Sequence, residues 1–170
     1  MKLITLIKVL LLIFYMTSWK VQENKTISSR IYFVPNNYST YNYGKATYRK
    51  EYKDYGRYFD MKNQKTIKKI KNILSNLKKS NGGRNGKRIK VILKEGERID
   101  SIYLSYLPSA KIEYNGNTCT GNPKLFNLIV NEIKDNYRKG NYICEGKECS
   151  KNPDKNNVKF LEMMSDNKSN

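Results

Sequence analysis

The sequence predicts an α+β domain, an antiparallel sheet of about five strands with two amphipathic helices packed on it, in the order β-β-α-β-β-β-α. Three observations carry that expectation. Ile67, Ile70, Ile73, Leu74 and Leu77 recur at helical spacing, and so do Leu125, Phe126, Ile129, Ile133 and Tyr137. Ile89, Val91 and Leu93 instead alternate with Arg88, Lys90 and Lys94, the two-residue period of a strand with one buried face. Glu95-Gly96 and Asn115-Gly116 are turn signals of the kind that join antiparallel neighbours.

In chain order, residues 30–34 form a short β-branched and aromatic run that Pro35-Asn36-Asn37 ends, hence a strand and a turn. The stretch to about residue 54 is polar, rich in tyrosine and without a firm assignment; residues 55–61 read as a second strand. The first helix starts near Asn63, with Lys65, Lys68, Lys69, Lys71, Lys78 and Lys79 among its apolar positions, and Ser80-Asn81-Gly82-Gly83 stops it. A meander follows: residues 88–94, residues 99–107 ended by Pro108, residues 111–114, and a short return over residues 118–120. Asn122 caps the second helix with Pro123 at its first position, and Gly140 closes it. Residues 28–149 are therefore one domain. Residues 150–170 turn to Asn, Lys, Asp and Ser and read as a polar, disordered tail, apart from a brief apolar run at residues 158–161.

The N-terminus has the layout of a secretory signal: Lys2, an apolar stretch interrupted by Lys8, then Thr17 and Ser18. Residues 3–16 would cover only about 21 Å as a helix, against a hydrocarbon core of about 30 Å, so a stable membrane span is disfavoured. Met16 stands where cleavage wants a small side chain, which leaves a retained inner-membrane anchor as the alternative to cleavage near Ser18. Either way residues 1–18 remove only Lys2 and Lys8, and the basic character belongs to the exported part, in the periplasm or outside the cell.

That character is pronounced: 33 Lys and Arg face 15 Asp and Glu, a formal charge of +18, with hydrophobic residues at 38%. Such a charge attracts anionic partners over long range. Lys, Asn, Ile and Tyr dominate the whole chain, as in proteins of AT-rich genomes, so the charge alone names no ligand.

The chain has no histidine, which removes the usual general base near neutral pH and the commonest metal ligand. Ser105 and Cys119 have nothing of that kind to activate them, and Glu95, Glu97 and Asp100 flank a turn where solvated carboxylates ordinarily sit. An enzyme is not expected, nor a metal or other cofactor. Of the three cysteines, Cys119, Cys144 and Cys149, two form one disulfide, either across the short 144–149 run or from Cys119 to the segment after the second helix.

Two basic groups are candidates for a binding surface. Tyr41, Tyr43, Lys45, Arg49, Lys50, Lys53 and Arg57 interleave rings and cations, the pairing that protein interfaces and single-stranded polyanions use. Tyr48, Tyr52, Tyr55 and Phe59 within that stretch fit a core-facing helical stripe instead, leaving Tyr41 and Tyr43 as the better anchors. Lys79, Arg84 and Arg88 lie around the Gly-rich connection after the first helix, which lacks the Gly-Lys-Ser/Thr ending of a phosphate loop.

The succession of a Lys-rich Ile/Leu helix, the strand Arg88-Ile89-Lys90-Val91-Ile92-Leu93, the Ile112 to Gly116 hairpin and a final amphipathic helix resembles small exported bacterial proteins of the immunity type. That resemblance implies neutralisation of a toxin delivered by a neighbouring cell, and so an acidic protein, toxin or enzyme, as the partner. An envelope polyanion (extracellular nucleic acid, cell-wall polymer or anionic lipid, the last as peripheral membrane contact) is the alternative.

Overall fold

Ser29, Ile31 and Phe33 are buried along β1 (Ser28–Phe33), while Arg30 and Tyr32 between them are half-buried. The same alternation buries Arg57, Phe59 and Met61 of β2 (Arg57–Met61), Ile89, Val91 and Leu93 of β3 (Ile89–Glu95), and Asp100, Ile102 and Leu104 of β4 (Arg98–Leu104). Partners across a ladder point to the same side, so the pairings Ile31 with Phe59, Ile31 with Val91 and Val91 with Ile102 put these residues on one face. The computed structural model describes residues 27–35, 52–81, 87–107 and 109–166. Its seven strands include β5 (Ile112–Tyr114), β6 (Asn117–Cys119) and β7 (Ile143–Cys144). They lie in the order β6-β5-β4-β3-β1-β2-β7, all antiparallel.

Hairpin chemistry sets the right half of this sheet. Gly96, at φ +60°, helps turn β3 into β4 through a two-residue loop, since Glu95 pairs with Arg98. Asn115 and Gly116, at φ +47° and +82°, form the two-residue turn from β5 to β6 with both residues left-handed. The left half is long-range: β1 is first in sequence yet lies between β3 and β2.

Helices cover the buried face. In α1 (Gln64–Ser75) the Asn63 side chain accepts a hydrogen bond from the Thr66 N–H, and Ile67, Ile70 and Leu74 face inward. In α2 (Pro123–Arg138) Asn122 accepts from the Leu125 N–H at 2.9 Å, and Leu125, Phe126, Ile129, Val130, Ile133 and Tyr137 are buried. Each such aliphatic side chain contributes about 1.5–3 kcal/mol when withdrawn from water.

The fold class is as expected, with two differences in extent. The sheet has seven strands rather than about five, and part of the expected tail is folded: residues 155–166 form a third helix, α3 (Lys155–Asp166). The Asp154 side chain accepts from the N–H groups of Asn156 and Asn157, which caps the helix, and Phe160 and Leu161 are buried. Phe160 meets Tyr106 edge to face at 5.2 Å, and the Tyr137 hydroxyl of α2 accepts from the Asp154 N–H at 3.1 Å. A polar composition concealed a helix because the apolar side chains that α3 turns to the core, Val158, Phe160, Leu161 and Met164, are spaced along an otherwise polar segment that its cap and α2 hold in place.

The expected helical stripe through Tyr48, Tyr52, Tyr55 and Phe59 does not continue. Residues 52–55 are helical, but Gly56 closes that turn on the Tyr52 carbonyl and Phe59 belongs to β2. Tyr48 lies outside the described residues.

Cys144 and Cys149 form the disulfide, and Cys119 is a buried free thiol. The bridge closes a short loop whose N–H groups cap the helical turn: Glu145 and Gly146 donate to the Gly56 carbonyl at 3.0 and 3.0 Å, Lys147 to that of Lys53 at 3.0 Å, and Glu148 to that of Asp54 at 2.7 Å. A Cβ on Gly146 would stand 2.4 Å from the Asp54 oxygen, so only glycine permits this approach.

Candidate functional site

The face of the sheet opposite the helices carries a row of side chains that crosses every strand. By register, Ile143 of β7 lies beside Tyr58 of β2, Tyr58 beside Tyr32 of β1, and Tyr32 beside Lys90 of β3. Lys90 lies beside Tyr103 of β4, Tyr103 beside Glu113 of β5, and Glu113 beside Thr118 of β6. At roughly 4.8 Å per strand the row is about 29 Å long. A neighbouring row holds Asp60, Arg30, Ile92 and Ser101.

Rings and cations alternate along these rows. Tyr32 and Tyr58 are 5.7 Å apart, and the Tyr52 ring meets Tyr32 edge to face at 5.8 Å. The Lys90 ammonium lies 5.4 Å from the Tyr32 ring centre and 5.8 Å from that of Tyr103, with Lys87 at 4.8 Å from Tyr103. The Arg30 guanidinium lies over Tyr58 at 4.4 Å and makes two bonds to Asp60, at 2.7 and 3.0 Å. That fork holds the Asp60 carboxyl below the usual carboxylate range and raises Arg30 further. Lys87 is paired with Glu113, and both are largely buried.

Arg30 and Lys87 on this face are therefore neutralised in place. Lys90 and Lys94 have no carboxylate partner among the described residues. Locked rotamers of this kind give a rigid aromatic surface that loses little conformational freedom on meeting a partner. Apolar Ile143 and Ile99 stand 53% and 60% exposed at its margins.

Of the sequence-predicted binding residues, Lys53, Arg57, Lys79 and Arg88 are described, and two of these, Arg57 and Arg88, are buried. Arg57 is a correction: it is buried on the helix side, its guanidinium 5.5 Å from each of the Tyr137 and Tyr142 rings and donating to the carbonyls of Tyr55 and Ser150. Arg57 starts β2 in phase with Phe59 and Met61, and strand parity turns it inward. Arg88 is a second correction, buried close to Tyr106, whose phenol burial pushes far up against the pull of Arg88 and Arg57. Lys53 and Lys79 are exposed, Lys53 on the helical turn and Lys79 at a bridge to Cys119. Tyr41, Tyr43, Lys45, Arg49, Lys50 and Arg84 lie outside the described residues.

Tyr32, Tyr103 and Arg30 escaped sequence reasoning, although their signal is present. In the predicted strands the outward phase is Tyr, Lys and Arg where Ser, Thr or Glu would serve a solvated sheet equally well.

A cleft of about 580 Å³ opens at the other edge, between β2 and the end of α2, lined in part by Asp60, Asn63, Glu132, Asn136 and Tyr142. Burial pushes the Glu132 carboxyl up, opposed by a hydrogen bond with Thr66, which makes it part of the contact between the two helices. Among the described residues no cluster of three metal-competent side chains occurs, and no helix is long and apolar enough to cross a membrane. Comparison with protein-family models, with curated proteins and with solved structures finds no match for this chain.

Proposed function

We propose that the chain is an exported binding protein of the immunity or inhibitor type, which docks the sheet face opposite the helices on an acidic toxin or enzyme in the cell envelope. The observation that carries this reading is the row Tyr58, Tyr32, Lys90 and Tyr103, rigid rings with cations set between them. Tyrosines are favoured interface anchors, and cations held among them steer an acidic partner without a large desolvation cost at each contact. The polyanion alternative fits this face less well, because Arg30 and Lys87 already have carboxylate partners and leave few cations for phosphates.

The test is calorimetric titration against the purified product of the gene directly upstream, with a single-stranded oligonucleotide as comparison. A docked complex persists between 50 and 500 mM salt, and Tyr32→Ala or Tyr103→Ala weakens it roughly 10- to 100-fold, as loss of an aromatic anchor does. Oligonucleotide binding that falls log-linearly with salt, with no protein complex, overturns this reading in favour of a polyanion.

A further inference from the structure

The helix layer carries a second charged surface with different chemistry. Lys65, Lys68, Lys69 and Asn72 recur at offsets of three, four and seven, one stripe of α1 turned away from the buried Ile67, Ile70 and Leu74. Lys62, just before the helix, extends the stripe, and all four lysines are exposed. None has a carboxylate partner among the described residues, whereas Lys71, off the stripe, is paired with Glu95. The arrangement opposes helix stability twice. Lysines three and four apart repel, and Lys65 and Lys68 sit at the positive end of the helix dipole with no acid in the first turn. Packing of α1 needs none of this.

Position in the chain supplies a second observation. The Gln64 side-chain amide donates to the Ile27 carbonyl at 3.0 Å, so the chain joins the domain at the N-terminal end of α1, beside Lys65 and Lys68. Ten residues, 17–26, separate Ile27 from the apolar stretch 3–16. At about 3.5 Å per residue they keep the lysine stripe within roughly 35 Å of that stretch.

We infer that the α1 stripe of Lys62, Lys65, Lys68 and Lys69 rests on the anionic phospholipid headgroups of the membrane into which residues 3–16 insert. An apolar segment joined to a polybasic patch is the two-signal combination that gives durable attachment, and ammonium groups on flexible stems suit headgroup phosphates. The stripe has no ring to stack a base and no aromatic or apolar anchor for a protein interface, which separates it from the open sheet face. The inference rests on residues 3–16 being retained as a membrane anchor, the alternative to cleavage near Ser18, and is independent of the docking partner.

The experiment is flotation of the full chain with vesicles of phosphatidylcholine alone and with vesicles containing one third phosphatidylglycerol. Each lysine near an anionic surface favours binding about five-fold, so the four together should give a preference for anionic vesicles of roughly several hundred-fold. Raising the salt from 50 to 500 mM should remove it. A full-length variant with Lys62→Gln, Lys65→Gln, Lys68→Gln and Lys69→Gln should lose most of that preference, and Tyr103→Ala should leave it intact. Equal binding of the unsubstituted chain to both vesicles, or a preference undiminished by the fourfold substitution, overturns the inference. Either result leaves the calorimetric test of the sheet face untouched.

Discussion

Reduction of the Cys144–Cys149 bridge should loosen one end of the sheet face by a calculable amount. The bridge spans a sequence separation of 5, so the closed loop is short and the chain-entropy model gives a stabilisation of about 2 kcal/mol. With a urea slope of roughly 2 kcal/mol per molar for a domain of this size, reduction should lower the unfolding midpoint by about 1 M. The loss should begin locally, because the loop N–H groups of residues 145–148 hold the carbonyls of Lys53, Asp54 and Gly56. Tyr52 is tied to the same loop through its hydroxyl, which donates to Glu145 at 2.7 Å. Hydrogen exchange should therefore rise first in residues 145–148, and the Tyr52 ring should leave Tyr32. The double variant Cys144→Ser and Cys149→Ser must reproduce the reduced protein, since Cys119 is the only other cysteine and is already a free thiol. Equal midpoints for oxidised and reduced chains would refute the reasoning and mean that the hydrogen bonds alone hold the loop.

Three further outcomes follow from packing and charge. Leu161→Ala should lower stability by about 2–5 kcal/mol in urea unfolding, because Leu161 is fully buried; a silent substitution would mean that α3 does not belong to the core. Cys119 should react with maleimide in native protein only at the rate of unfolding, since it is 3% exposed and burial pushes its thiol up; rapid labelling without denaturant would contradict its placement. Acid should destabilise the fold through Asp60, lowered first by Arg30, and Asp100, where burial raises the carboxyl but Asn115 and Arg98 outweigh it. Both depressed groups stabilise the fold above the unfolded value near about pH 3.9 and lose that contribution as pH falls through their folded values. Glu132, raised by burial, acts oppositely, favouring the fold as it protonates. Urea midpoints from pH 7 to 2 should drop below about pH 4, and Asp100→Asn should flatten that drop; an unchanged acid limb in the variant would remove Asp100 from the account.

What was legible in the sequence was what local chemistry decides. Asn122 and Pro123 start α2, its apolar spacing marks the inward face, and Asn115-Gly116 makes its turn with both φ angles positive, all consequences of residues within one turn of each other. Arg57 was misplaced because the boundary of β2 sets its parity: one residue of register decides whether a strand side chain faces helix or solvent. The clamp of residues 145–148 on the helical turn, the two-residue strand β7 and the central place of β1 depend on partners distant in sequence, and no local period announces them. The candidate face was hidden for a related reason. Tyr32, Tyr58 and Tyr103 lie far apart in the chain, and only the order of the strands makes them neighbours.

The scarcity of carboxylates explains why two such different surfaces occur on one small domain. With 15 acids against 33 cations, each acid placed near a cation decides where positive charge is cancelled. Asp60, Glu95, Asp100, Glu113 and Glu162 lie against Arg30, Lys71, Arg98, Lys87 and Arg138. Two of these pairs, Arg30 with Asp60 and Lys87 with Glu113, fall on the sheet face, where they fix the rings in place and leave Lys90 and Lys94 to carry its positive charge. Among the described residues the outward stripe of α1 receives none and keeps its charge in ammonium groups on flexible stems, which suits a fluid, repeating array of phosphates. The same excess of lysine thus acts as framework on one side of the domain and as a field on the other, and the difference lies in where a few acids stand.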